Sequence, residues 1–218
     1  MFDFLQADHV ELLSQGKYKP KKIMVLLSEG VELQDIHFIE KEFKNKDAEL
    51  VYASPDPGVI KTWDGDHWGQ SIISRIEIID ECRIHEHEYD AFIIPGEKMH
   101  MEKLRENVKL IQELNHLLIE GKTIITIGYG IQLLIDADSI HGRKVTGPRA
   151  IKKDIDNAGG WWQDQNITID GSLITINNPE LVKHAEGNKN RNSYFSSREY
   201  LSILALTMFP ALFISAIN

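Results

Sequence analysis

Thr123 to Leu134 reads TIITIGYGIQLL, and this stretch decides the fold. Thr123 to Ile127 reads as a buried strand. It passes through Gly128-Tyr129-Gly130 directly into an apolar helix, Ile131 to Ala137. A strand that turns this sharply into a helix thrusts the residue at the turn outward, beside backbone N–H groups able to stabilise an oxyanion. The turn residue commonly takes a strained positive φ. An elbow of this kind ordinarily displays Ser or Cys. Here it displays Gly128, which has no side chain to attack with.

Outward from this elbow, the pattern alternates. Lys21 to Ser28 reads as a short apolar strand, and Gln34 to Lys44 as a helix with Ile36, Ile39 and Phe43 on one face. Leu50 to Ser54 is a second strand, closed by Pro55 and Pro57. Val59 to Ile79, with Gly65 and Gly69, reads as hairpins at the sheet's edge. Asp90 to Ile94 is a third buried strand, stopped by Pro95-Gly96. Leu104, Val108, Ile111, Leu114 and Leu118 recur at helical spacing, with Gly121 where a helix would end. Ile151 to Ala158 reads as a further helix, and Asn166 to Ile176 as a hairpin turned at Asp170-Gly171. Strands alternating with amphipathic helices imply an α/β fold with a mostly parallel sheet covered on both faces. Sites in such sheets form at the carboxyl ends of strands, which are Ser28 to Glu32, Pro95 to Glu97 and Gly128 to Gly130. The first and fourth strands are expected as near neighbours, with Glu32 buried beside Gly128 and Gly130.

The 218 residues are 42% apolar and 26% charged, enough for one domain with a buried core. The domain is placed at 21–187, after an arm at 1–20 and before a polar linker at 188–199. A net charge of −9 argues against nonspecific nucleic-acid binding, since there is no basic excess to displace phosphate counterions. Cys82 is the only cysteine, so no internal disulfide forms, which fits a reducing, cytoplasmic compartment. Residues 200–217 are almost wholly apolar and uncharged. They read as a helix buried on the domain or in a dimer contact, or else as a membrane-associating tail. A third alternative is a fragment of a longer protein, the tail then belonging to another domain or to a membrane.

At the elbow, the sequence resembles the ThiJ/PfpI family, of the class I glutamine-amidotransferase-like fold, whose motif here has the form A-I-C-H-G-P-Q-L-L. Ile127-Gly128-Tyr129-Gly130-Ile131-Gln132-Leu133-Leu134 keeps Gly130, Gln132, Leu133 and Leu134, while Gly128 falls on the nucleophilic cysteine and Tyr129 on its histidine. Glu32, in SEGVELQD, falls on the carboxylate that hydrogen-bonds the family's thiol. Pro95-Gly96 matches the start of its P-G-G turn, with Glu97 in place of the second glycine. Glu102-Lys103-Leu104-Arg105 resembles the following E-R-x-R, displaced by one inserted residue. HGRKVTGPRAIKKDIDNAGGWWQD resembles the family's G-R-x-V-T-x-x-x-A-I-x-D-D-x-x-N-A-G-x-x-W. The resemblance spans about Lys21 to Val182 and implies a flavodoxin-like three-layer sandwich.

The resemblance implies a catalytic set of Glu32, Tyr129 and Glu102 around the vacant position Gly128. It implies a ligand-binding set of Glu32, Gly96, Glu97, Gly128, Tyr129 and Gly130. Family activities of protease, deglycase and glyoxalase type depend on a low-pKa thiolate that Gly128 does not supply. A phenol, with an unperturbed pKa of about 10, replaces histidine poorly as acid or base near neutrality. The expected role is binding of a small ligand or partner protein. The alternative is a hydrolase or lyase using Glu32 as general base. Neither a cofactor nor a metal is implied. His85-Glu86-His87-Glu88 offers two imidazoles on one strand face but no third ligand. Cys82 reads as a packed or partly exposed thiol. The family resemblance, with Trp161, Trp162 and the apolar tail, implies a homodimer or larger homo-oligomer.

Overall fold

The computed structural model describes residues 21–44, 48–78, 89–96 and 98–178. The N-terminal arm, Cys82, the His85 to Glu88 run, Glu97, the linker at 188–199 and the apolar segment at 200–218 lie outside the described residues.

The strands are β1 (Lys21–Leu26), β2 (Val31–Glu32), β3 (Ala48–Ser54), β4 (Gly58–Asp64), β5 (His67–Ser74), β6 (Ile76–Glu77), β7 (Ala91–Ile94), β8 (Thr123–Ile127), β9 (Lys144–Val145), β10 (Trp161–Trp162), β11 (Ile167–Asp170) and β12 (Leu173–Ile176). The helices are α1 (Leu33–Lys44), α2 (Lys98–Arg105), α3 (Val108–Ile119), α4 (Ile131–Asp136) and α5 (Lys152–Asn157). Among the described residues, seven strands form the main sheet in the order β11-β12-β8-β7-β1-β3-β6. All neighbours run parallel except β11, which pairs antiparallel with β12.

The central strands are rich in β-branched residues, which favour the pleated backbone and pack on both faces. Every residue of β8 is β-branched, and its last four are buried. Alternation along the strands then builds two cores. Met24, Leu26, Phe92, Ile94, Ile124 and Leu173 face Leu104 of α2, Leu110, Leu114 and Leu117 of α3, Leu133 and Leu134 of α4, and Ile155 of α5. Ile23, Val25, Ile93, Ile125, Ile127, Ile174 and Ile176 lie in the opposite core with Ile36, Ile39 and Phe43 of α1. The result is the sheet covered on both faces that the alternating pattern implies, and the flavodoxin-like three-layer sandwich that the family resemblance implies.

The first and fourth strands, β1 and β8, are near neighbours, with the third, β7, between them. Two local expectations are corrected. The β4–β5 hairpin joins β2 in a separate three-stranded sheet rather than extending the main sheet's edge; among the described residues β6 forms that edge, beside β3. The helical run through Leu104 and Leu118 is two helices. Asn107 breaks it: its side chain accepts the Leu110 N–H at 3.0 Å, capping α3, and its amide donates to the Ile78 carbonyl at 2.8 Å. Val108, expected on the apolar stripe, is therefore exposed. Gly121 does close α3, at φ +78°.

Candidate functional site

β8 ends at Ile127, and Gly128 turns the chain at φ +53° into a single 3-10 turn, Gly128–Gly130, that runs into α4. This is the left-handed region, which costs an L-residue about 1–2 kcal/mol and glycine almost nothing. A Cβ placed on Gly128 would meet the Gly96 carbonyl oxygen at 3.3 Å and the Asn177 carbonyl oxygen at 3.8 Å. Its nearest surroundings are thus backbone, with room for a small side chain after a few tenths of an ångström of adjustment. The neighbouring glycines have no such latitude. A Cβ on Gly96 would collide with the Ile127 carbonyl, and one on Gly130 with the Ile94 carbonyl. Glycine at both positions lets the Pro95-Gly96 turn after β7 lie directly against the elbow after β8.

Hydrogen bonds hold that contact from three elements. The Tyr129 N–H donates to the Gly96 carbonyl at 3.2 Å. The Gly96 N–H donates to Oδ2 of Asp35 at 3.0 Å; Asp35 is buried in the first turn of α1. His100, fully buried in the first turn of α2, bonds the Pro95 carbonyl through Nε2 at 2.9 Å. The carbonyl can only accept, so Nε2 carries the proton, and Nδ1 has no hydrogen-bond partner among the described residues. Burial pushes the His100 imidazole down to about 4, the bond to Pro95 opposing that shift. Ser28, at the end of β1, donates through Oγ to the His100 carbonyl at 2.9 Å.

The predicted site residues distribute unevenly around this joint. Gly96, Gly128, Tyr129 and Gly130 converge at it. Glu32 lies in β2, paired with Trp63, and is half-buried rather than buried, because β2 belongs to the hairpin sheet and not to the main one. Glu102 is exposed on α2. Tyr129 is half-buried, with Lys98 Nζ 4.8 Å from its ring centroid, a cation–π distance. Glu29 pairs with Lys103 at 3.7 Å. Trp161 is exposed, whereas Trp162 packs on the core and donates through Nε1 to the Gly147 carbonyl at 3.1 Å.

Sequence reading missed Asp35 and His100. Asp35 carried one signal, its place three residues after Glu32 at the start of an amphipathic helix. His100 carried none, being one polar residue in MHMEK. At the other end of α4, a cleft of about 580 Å³ opens beside α3, lined among others by Glu113, His116, Asp136 and Asp138.

Comparison with known proteins agrees with the geometry. The DJ-1/PfpI family model matches residues 21–184. The chain is 31% identical over 159 residues to Deglycase PfpI of Pyrococcus furiosus, covering 72% of this chain and 90% of that one. It is also 31% identical over 161 residues to Protein/nucleic acid deglycase 2 of Escherichia coli, covering 73% and 90%. Among solved structures, the oxidized DJ-1 of Toxoplasma gondii superposes with a TM-score of 0.67 at 17% identity, over 87% of this chain and 91% of that one. A two-domain protein from Anabaena variabilis, with DJ-1/ThiJ/PfpI-like and ferritin-like domains, gives a TM-score of 0.64 at 28% identity. That match covers 72% of this chain and 43% of the two-domain chain. The chain belongs to the DJ-1/PfpI family.

Proposed function

We propose that this chain is a DJ-1/PfpI-family domain that has lost cysteine-dependent catalysis and acts by binding a small ligand or a partner protein at the elbow. The observation that carries the reading is Gly128 itself. It holds the elbow's apex at φ +53°, where a nucleophile would be displayed, and presents no side chain. Losing a nucleophile ordinarily costs orders of magnitude in rate. Two further facts support the reading. The Tyr129 and Gly96 N–H groups are already spent on Gly96 and Asp35, so neither is free to receive a developing oxyanion. And the nearest atoms above Gly128 are the Gly96 and Asn177 carbonyl oxygens, acceptors that an N–H or O–H of a ligand would meet there.

The test is turnover by the purified full chain of methylglyoxal, a glycated amino acid and a peptide substrate. Activity indistinguishable from buffer is expected. Turnover that survives alkylation of Cys82 and is abolished by Glu32→Gln would overturn the reading. It would establish instead a hydrolase or lyase with Glu32 as its base.

A further inference from the structure

We infer that Asp35, a residue with no place in the sequence-predicted site, is the positioning residue that sets the elbow. The chain of contacts is short. Asp35 stands in the first turn of α1 and takes the Gly96 N–H at 3.0 Å. The carbonyl of the same Gly96 takes the N–H of Tyr129 at 3.2 Å. Gly96 has no room to shift toward the elbow, since even one added carbon would strike the Ile127 carbonyl. A peptide held by one side chain at its N–H, bonded to the elbow at its carbonyl and abutting the elbow at its Cα transmits position from the first to the second. Helix α1, which packs in the core on one face of the sheet, thereby fixes a turn that leads into α4, in the core on the other face.

His100 is the second arm of the same clamp. It holds the Pro95 carbonyl from α2 at 2.9 Å. The Pro95-Gly96 turn is therefore gripped from two helices by side chains, and the elbow rests on the gripped turn. The half-buried Glu32 enters the hairpin sheet one residue before α1 begins, and Asp35 completes that segment's reach into the main sheet. The clamp acts on the backbone of the site, whatever the site binds.

The test is residue-resolved amide hydrogen exchange on the full chain, wild type against Asp35→Ala and Asp35→Asn. The reporter is the Tyr129 amide. The control is the Ile124 amide, which donates to the Ser172 carbonyl at 2.9 Å and does not involve the turn. A buried hydrogen bond to a charged group contributes about 1.5–3 kcal/mol, so its loss speeds exchange about tenfold or more. Asp35→Ala is expected to speed Tyr129 by at least about tenfold relative to Ile124. Asp35→Asn keeps an acceptor oxygen and is expected to leave that ratio within about threefold of wild type. Asp35→Ser, too short to reach Gly96, carries the Asp35→Ala expectation if that variant does not fold. An unchanged Tyr129-to-Ile124 ratio in the variant without an acceptor would overturn the inference, as would a ratio in Asp35→Asn as high as in Asp35→Ala. No ligand enters the measurement, so failure of the binding reading leaves this result interpretable.

Discussion

His100 makes the elbow's foundation sensitive to acid in a way that can be calculated. Its imidazole sits at about 4 in the folded protein, against an ordinary value near 6.5 in the unfolded chain. The folded state thus refuses a proton that the unfolded state accepts. The contribution is intact above pH 6.5, falls as pH drops through that value, and is fully lost only below about 4. Each unit is worth about 1.36 kcal/mol, so His100 accounts for about 2 kcal/mol of lost stability between pH 7 and pH 5, and about 3 kcal/mol by pH 4. The perturbation is His100→Gln, whose amide can donate to the Pro95 carbonyl without titrating. Urea unfolding of wild type and variant at pH 7 and pH 5 is the assay, with the pH difference compared between the two. Wild type should lose about 2 kcal/mol more than His100→Gln. Equal losses in the two proteins would refute both the depressed imidazole and the packing that causes it.

Two other perturbations probe the same joint and its surroundings. Gly96→Ala should destabilise the fold by more than about 3 kcal/mol, because its methyl must displace the Ile127 carbonyl. Gly65→Ala, at φ +72° with nothing within 4 Å, should cost only the backbone term of about 1–2 kcal/mol, so chemical denaturation of the pair separates collision from conformation. Arg105→Ala removes a two-pronged pair with Asp136 that ties α2 to the end of α4. The two side chains are 42% and 25% exposed, so the loss should stay below about 1 kcal/mol and shrink further in 0.5 M salt, as read by thermal unfolding.

Most of the fold was legible because its signals are local. The buried strands announce themselves as short β-branched runs, and the Asp170-Gly171 turn closes its hairpin where it is read. The elbow too is visible, since only glycine sits comfortably at the positive φ that a strand-to-helix turn imposes. The helix split at Asn107 was missed because the apolar spacing runs on across it. A capping side chain interrupts the backbone without interrupting the hydrophobic period.

What the sequence by itself determined is the alternation of strand and helix, and with it the class of fold, the place of Gly128–Gly130 at the carboxyl end of β8 and the lack of a side chain at Gly128. Periodicity is a property of neighbours along the chain, and a missing side chain is missing in any fold. Strand order was decided only by tertiary structure. β7 lies between β1 and β8 because pairing partners are chosen by packing across the sheet, at no fixed sequence distance. The same holds for the carboxylate at the joint. Glu32 and Asp35 are three residues apart and chemically alike, yet β2 takes Glu32 into the hairpin sheet while the first turn of α1 delivers Asp35 to Gly96, 61 residues further along the chain. That Asp35 meets the Gly96 amide depends on where β2 stops and α1 starts in space, and no residue-level pattern encodes it.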